Sequence, residues 1–268
     1  MKKLFVFSDA HSFFDELMKA LEDAGFDRAD EDHVIVSLGD LCDRGSQSRQ
    51  ILSFINDMPR DRKICVIGNH EILMDDLIAR GFPYGYDISN GTVKTAADIS
   101  EPGEDISSLR YNAAWNEYRK SWQWYLETDK CLFVHGWIPC GHSYFSFLSE
   151  DYRYDLKWRE ASDKEFTDAS WVNGMDAWRH GVTEEGKTIY CGHWHTSWGH
   201  HYLHDEGPEF PEEGDPRIPA LFGPFIDDGI VALDGCTAFS GQVNVVALEI
   251  GDDDWQRAVR KRKGLNQN

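Results

Sequence analysis

Six short apolar runs in this 268-residue chain are each followed at once by side chains that bind metals or move protons. Ser8-Asp9-Ala10-His11 follows KLFVF (3–7), and Gly39-Asp40-Leu41-Cys42-Asp43-Arg44-Gly45 follows HVIVSL (33–38). Gly68-Asn69-His70-Glu71 follows KICVI (63–67), and His135-Gly136 follows CLFV (131–134). Gly192-His193-Trp194-His195 follows TIYC (188–191), and Asp234-Gly235 follows GIVAL (229–233). Carboxylate oxygens, an amide oxygen and imidazole nitrogens make a mixed hard and borderline donor set. It suits manganese, iron or zinc better than an all-oxygen calcium site or an all-thiolate zinc site. One carboxylate can bridge two such ions about 3.5–4 Å apart, the spacing of two-metal phosphoryl chemistry. Asp40 is the bridging candidate, because it follows the second strand, expected to be central. A lone D-x-H or a lone histidine carries little information. GDLCDRG and GNHE are sharper, and the set in order, each member at a strand end, points to a metal site.

The elements that must position these groups follow from the same runs. Most are continuous rather than alternating, as in strands buried on both faces, and VNVVALE (243–249) adds a seventh. Helical stretches lie between the early strands: one capped by Ser12, with Phe14, Leu17, Met18 and Leu21 on one face and Gly25 at its end, then Ser46–Asp57 and His70–Arg80. The opening third therefore reads β-α-β-α-β-α, an α/β class with a mainly parallel sheet. In such sheets ligands bind beyond the carboxyl ends of the strands. Residues 81–109 read as an excursion with little periodicity, Tyr111–Leu126 as a tryptophan-rich helix, and 199–229, with five of the nine prolines, as a long stiff loop. The expected organisation is one domain over 1–250, with insertions near 81–127 and 199–229. Residues 251–268 read as a short polar tail whose basic part, Arg257 to Lys263, is solvated.

Composition narrows the functional classes. Lys+Arg number 27 against 47 Asp+Glu, giving a net charge of −20, which repels nucleic-acid backbones and acidic membranes. No nucleic-acid or membrane partner is expected. The six cysteines form no C-x-x-C pair, and several sit in apolar runs such as KICVI and TIYC, as small buried hydrophobes do. The start, MKKLFVFSDAH, is too short for a signal-peptide core, and a cytoplasmic location is the expectation. Oligomeric state is not legible.

D-x-H, G-D-x-x-D-R-G and G-N-H-E together resemble the calcineurin-like metallophosphoesterase superfamily, and within it the phosphoprotein-phosphatase branch that acts on phosphoserine and phosphothreonine. The resemblance spans about Lys3 to Ile250 and implies a four-layer α/β/β/α sandwich, its metals at the strand ends. It implies that Asp9 and His11 hold one metal, that Asp40 bridges, and that Asn69, His135 and His193 hold the second. It implies further that His70 and Asp43 are the catalytic pair and Arg44 a phosphate clamp. His195 is similar to a ligand of the first metal in the wider superfamily, though the narrower branch often lacks it. That branch uses a second phosphate-binding arginine; Arg159 in LKWRE has a plausible spacing, with Arg179 in DAWRH its rival. GHW and ALDGC also look like symmetrical diadenosine tetraphosphate hydrolases.

The expected chemistry is direct in-line attack on phosphorus by a hydroxide bridging two divalent ions, manganese foremost, with no covalent phosphoenzyme. His70, next to a ligand without being one, is the general acid, and Asp43 fixes its tautomer and raises its pKa. Glu71 reads as structural at the start of a helix. Asp234 reads as a hydrogen-bond partner of loop backbone, with support of the metal ligands as the other role. His200, His201 and His204 read as solvated or loop-packing rather than as an extra metal site. Trp137 and Trp194, beside proposed ligands, read as walls of the site. The substrate expected is a phosphomonoester, of a phosphorylated protein or a small molecule. The competing readings are a diadenosine tetraphosphatase-type phosphoanhydride hydrolase and an inactive binding scaffold.

Overall fold

The computed structural model describes residues 1–141, 152–211 and 219–261. All seven apolar runs form strands. In the first half these are β1 (Lys2–Phe7), β2 (His33–Ser37) and β3 (Lys63–Val66), alternating with the helices α1 (Phe14–Asp23), α2 (Ser48–Asp57) and α3 (Asn69–Arg80). The excursion at 81–109 is helical: α4 (Gly85–Asn90) and α5 (Thr92–Ile99) precede a 3-10 turn over Ile106–Tyr111. The long helix expected over Tyr111–Leu126 is instead a short α6 (Ala113–Arg119), followed by β4 (Trp122–Gln123) and β5 (Leu126–Glu127).

The second half runs β6 (Cys131–Phe133), α7 (Asp163–Ala169), α8 (Gly174–Arg179), β7 (Thr188–Cys191) and α9 (Thr196–His204). It continues through β8 (Phe225–Asp227), β9 (Ile230–Ala232), α10 (Thr237–Ser240), β10 (Val245–Ile250) and α11 (Asp252–Arg260). The stretch expected as a stiff loop thus carries regular structure at both ends, α9 and β8; residues 212–218 within it lie outside the described residues. In the tail, Arg257, Arg260 and Lys261 are exposed as expected, but 252–260 coil into a helix that packs on the sheets. There α11 buries Trp255 and Ala258, since its apolar positions three apart fall on one face. Residues 262–268 of that tail lie outside the described residues.

Two five-stranded mixed sheets result, in the orders β10-β1-β2-β3-β4 and β5-β6-β7-β9-β8. The first is parallel except for β10, which pairs antiparallel with β1 from Lys2↔Ile250 to Phe7↔Val245. In the second, β6, β7 and β9 are parallel and the edges β5 and β8 antiparallel. The mainly parallel sheet expected from the opening third is borne out, three of the four pairings in the first sheet being parallel. Alternate side chains account for the layering, because successive strand residues point to opposite faces. Leu4, Val6, Val34 and Val36 pack with Leu126, Phe133 and Val231 of the other sheet, so the sheets face one another. Phe5, Phe7 and Ile35 turn the other way, into the core with Leu17, Ile51 and Leu77 of the helices. This is the expected sandwich, and it explains why the strands read as continuous apolar runs.

One local expectation fails. Ser12 does not cap α1; its hydroxyl bonds Ser48 at the start of α2 (2.7 Å), which ties the first two crossovers together beneath the strand ends.

Candidate active site

The parallel strands deliver their polar successors to one rim, and the backbone there is unusual. Among the described residues, nine non-glycine residues have positive φ. Eight of these, Asp9, His11, Ser12, Asp40, Asp43, Arg44, His193 and Cys236, lie in the strand-end loops. Each such residue costs on the order of 1–3 kcal/mol, and strain of this kind concentrates where the loops must aim side chains inward. Gly68 permits a close approach: a β-carbon there would sit 2.7 Å from the Asp40 nitrogen. Glu71 holds the same two loops in place. Its Oε2 accepts from the backbone of Asp40 and Gly68 and its Oε1 from Leu41, all at 2.9 Å, which is the structural role expected of it.

Around Asp40 the donor atoms converge. The Asp40 Oδ1 lies 3.4 Å from His135 Nε2, and its Oδ2 lies 3.8 Å from His11 Nε2. Asp9 Oδ1 is 3.8 Å from that same His11 nitrogen. Asn69 Oδ1 is 2.8 Å from His135 Nε2 and 2.9 Å from His193 Nδ1. The other ring nitrogens of His11 and His135 face backbone carbonyls, of Cys42 at 2.9 Å and Leu38 at 2.7 Å. Such outer contacts fix the tautomer of metal-binding histidines, leaving Nε2 as a lone-pair donor.

The donor set fits two divalent cations on two observations. Oδ1 of Asp9 is buried and accepts no hydrogen bond, a costly state for a carboxylate oxygen unless a cation meets it. The electrostatics also call for positive charge. Burial, and then the Asp234 carboxylate, hold Asp9 well above the ordinary carboxylate range. Burial opposes charge on His135 too, yet the adjacent Asp40 carboxylate overcomes it and pushes the ring up to about 10. His193, pushed down by burial and by His135, falls to about 3, and a neutral ring is the form that ligates.

Beside these donors stands a histidine with a carboxylate partner of its own. His70 Nδ1 is 2.7 Å from Asp43 Oδ2, and its Nε2 is 3.4 Å from Arg44 Nη2. Burial opposes the imidazolium, but Asp40 and then the Asp43 hydrogen bond outweigh it, and the pKa is raised. Asp43 is itself clamped by α5: Thr92 Oγ1 donates to Oδ2 and Thr95 Oγ1 to Oδ1, each at 2.7 Å. Gly91, at φ +87°, lets α5 come this close, since a β-carbon there would lie 2.5 Å from the Arg44 nitrogen. Two hydroxyls in a segment without periodicity gave no sequence signal for this.

A cavity of about 300 Å³ opens over the group, lined among others by His11, Asp40, Arg44, Asn69, His70 and His193. Its rim includes Trp171 and Trp194, 45% and 37% exposed, and Asn90 at the end of α4. Trp194 thus walls the site as expected. Trp137 does not: it is buried, its Nε1 donating to the Val182 carbonyl. Trp171 takes that place and was missed, because a stacking tryptophan and a packing one look alike in sequence.

His195 also lines the cavity, but it lies apart from the Asp40 cluster. Its Nδ1 meets Ser197 Oγ at 2.9 Å and its Nε2 Glu209 at 3.3 Å, and burial lowers it to about 4. Asp234 accepts from the Cys236 nitrogen at 2.7 Å, as expected of a loop-backbone partner, and burial raises it to about 6. Arg159 is not brought to the cavity. Its guanidinium pairs with Glu127 and Glu184, at 2.6 Å each, and stacks on Trp158. Two buried-edge carboxylates outcompete any role over the strand ends, so the expected phosphate contact is corrected. Arg179 pairs with Asp176 at 2.7 Å and is likewise absent from the lining. Cys42, Cys65 and Cys191 are buried, as expected of small hydrophobes, whereas Cys131, Cys140 and Cys236 are partly exposed. Among the described residues no helix is long and apolar enough to cross a membrane.

Comparison with known proteins agrees with this geometry. The model of the family described as calcineurin-like phosphoesterase matches residues 2–214. Over 71 residues the chain is 39% identical to the symmetrical bis(5'-nucleosyl)-tetraphosphatase of Buchnera aphidicola subsp. Baizongia pistaciae (strain Bp). That match spans 26% of this chain and only 24% of the curated relative. The solved cold-active protein-tyrosine phosphatase of a psychrophile, Shewanella sp., superposes with a TM-score of 0.53 at 18% identity, covering 93% of this chain and 76% of that one. A Saccharomyces cerevisiae protein serine/threonine phosphatase, at 18% identity, covers 72% of this chain and 61% of its own, with a TM-score of 0.46 that adds nothing further. At such identity the structural likeness concerns the fold alone. With the family model covering most of the length, this chain belongs to the calcineurin-like phosphoesterase family.

Proposed function

We propose that the protein is a dinuclear-metal phosphoesterase that hydrolyses phosphomonoesters of poor leaving groups, phosphoserine and phosphothreonine among them. The observation that carries this reading is the His70–Asp43 pair (2.7 Å) with Arg44 at the outer ring nitrogen. Serving as an acid at Nε2 while Nδ1 donates to Asp43 requires the imidazolium, the form that the raised pKa favours. An alkoxide leaving group needs that proton. A phosphate leaving group, as in a phosphoanhydride, needs it far less, so a clamped general acid favours the ester.

Asp9, His11, Asp40, Asn69, His135 and His193 would hold the cations, with Asp40 between the two sets and His195 as a further candidate. When bound, two such ions supply charge neutralisation and an activated water at neutral pH. Manganese is the favoured pair, with iron or zinc also compatible with the donors. Arg44 offers a planar fork of N–H donors to the phosphoryl oxygens. Water adds to phosphorus opposite the leaving oxygen, the P–O ester bond breaks, and the Nε2 proton of His70 passes to the departing oxygen. Inorganic phosphate and an alcohol result, and His70 regains its proton from solvent.

A second reading, hydrolysis of diadenosine tetraphosphate, rests on Trp171 and Trp194 at the rim, which could stack a base, and on the short 39% match. Parallel turnover of a phosphoserine peptide and diadenosine tetraphosphate by the Mn²⁺-loaded chain separates the two. The proposal expects preference for the peptide, with His70→Asn abolishing most of it. Preference for the dinucleotide, undiminished in His70→Asn, would overturn it.

A further inference from the structure

Away from the catalytic cavity, α9 carries a second pair of histidines, and it is a helix rather than the loop the prolines implied. His200 and His204 are four residues apart and so share one face. Glu206 follows just beyond the helix end. The His200 ring meets oxygen acceptors on both nitrogens, and the His204 ring on one. His200 Nδ1 lies 3.0 Å from Glu206 Oε2, and its Nε2 3.3 Å from the Gly223 carbonyl. His204 Nε2 lies 2.9 Å from Asp227 Oδ2, and its Nδ1 3.9 Å from Glu206 Oε2. A neutral imidazole has one N–H, so on the His200 ring one nitrogen lone pair confronts an oxygen lone pair. A single cation between the two Nδ1 atoms and Glu206 would remove that conflict and draw His204 Nδ1 toward the same carboxylate.

The geometry points to a mononuclear zinc site made by His200 Nδ1, His204 Nδ1 and Glu206 Oε2, separate from the dinuclear centre. The three residues can place their ligand atoms within 4.8 Å of one another. Tetrahedral zinc with bonds of about 2.0–2.1 Å sets its ligands about 3.3 Å apart, and the 3.0 and 3.9 Å separations bracket that value. The outer nitrogens already have the partners that zinc-binding histidines use, a carboxylate at Asp227 and a carbonyl at Gly223. Two imidazoles and one carboxylate select zinc over magnesium or calcium, with a fourth position left for water.

The site would work as an anchor. α9 begins at Thr196, directly after His193 and His195, and Ser197 in its first turn bonds His195. Its nine residues span about 13 Å, so the zinc lies one helix length from the cavity. Asp227 belongs to the edge strand β8. Zinc would therefore fasten the far end of the helix to Glu206, fix the His204 ring that Asp227 holds against β8, and steady the end that borders the active site.

The test is equilibrium dialysis of the untagged full chain against Zn²⁺, counting zinc per chain, beside melting curves with and without the ion. His204→Gln should bind one equivalent fewer than wild type and lose part of the zinc-dependent rise in Tm. Asp227→Asn should keep the equivalent with roughly 10–100-fold weaker affinity. Should His204→Gln fold poorly, Glu206→Gln at a half-exposed position reports the same loss. Equal zinc counts in wild type and in these ligand variants would overturn the proposal.

Discussion

Replacing His70 by Asn removes the proposed proton donor and leaves its surroundings nearly unchanged. Asp43 accepts three hydrogen bonds of 2.7 Å, from His70, Thr92 and Thr95, and the two threonine bonds survive the change. The loss should therefore fall on kcat and spare Tm. General-acid catalysis contributes about 10²–10⁴-fold, or about 3–5 kcal/mol of barrier, and that full range is expected on an alkyl phosphate such as a phosphoserine peptide. On 4-nitrophenyl phosphate, whose leaving group departs as a stable anion, the loss should be much smaller. The companion variant, Asp43→Asn, removes the carboxylate that helps raise the pKa of His70. Because the imidazolium is the active form, kcat should fall as pH rises through the His70 pKa, and in Asp43→Asn this limb should move to lower pH. The sign extends to stability in the metal-free chain. A folded value raised above the ordinary 6.5 stabilises fully below 6.5 and ceases to do so as pH rises through the raised value. The assay is steady-state turnover of both substrates from pH 5 to 9, with metal content verified for each variant. Equal losses on the peptide and the aryl ester, or an alkaline limb unmoved in Asp43→Asn, would refute the general-acid role.

Three further outcomes follow from contacts around the site. Thr95→Val leaves Asp43 Oδ1 without its hydroxyl and should cost about 1–3 kcal/mol by urea unfolding, with a fall in kcat on the peptide that exceeds any change in KM. Glu71→Gln places an amide N–H against backbone donors that now point at a carboxylate; a loss of roughly 2–3 kcal/mol and weaker metal retention on dialysis are expected. Trp255→Ala should destabilise by about 3–5 kcal/mol if α11 seals the core between the sheets, whereas a solvated tail would give no measurable change in Tm.

The identity of the strands and of the groups at their ends was already determined by the chain itself. Continuous apolar runs mark strands covered on both faces, and a polar residue that ends such a run must emerge at the rim. That local logic sufficed for Asp9, His11, Asp40, Asn69, His70, His135 and His193, because parallel pairing then brings every rim to the same side. The short edge strands β4, β5 and β8 were illegible, since what makes them strands is the neighbour they pair with. The threonines that clamp Asp43 come from a segment some fifty residues further along, and the helix-to-loop contact at Gly91 leaves no periodic trace. Arg159 had the right type and spacing for a phosphate contact; the position of Glu127 and Glu184 decided otherwise. His200 and His204 became a pair once 196–204 coiled and β8 supplied Asp227. Side-chain chemistry and local period travel with the sequence, whereas which charges meet is settled by contacts between distant segments, and those exist only in the folded chain.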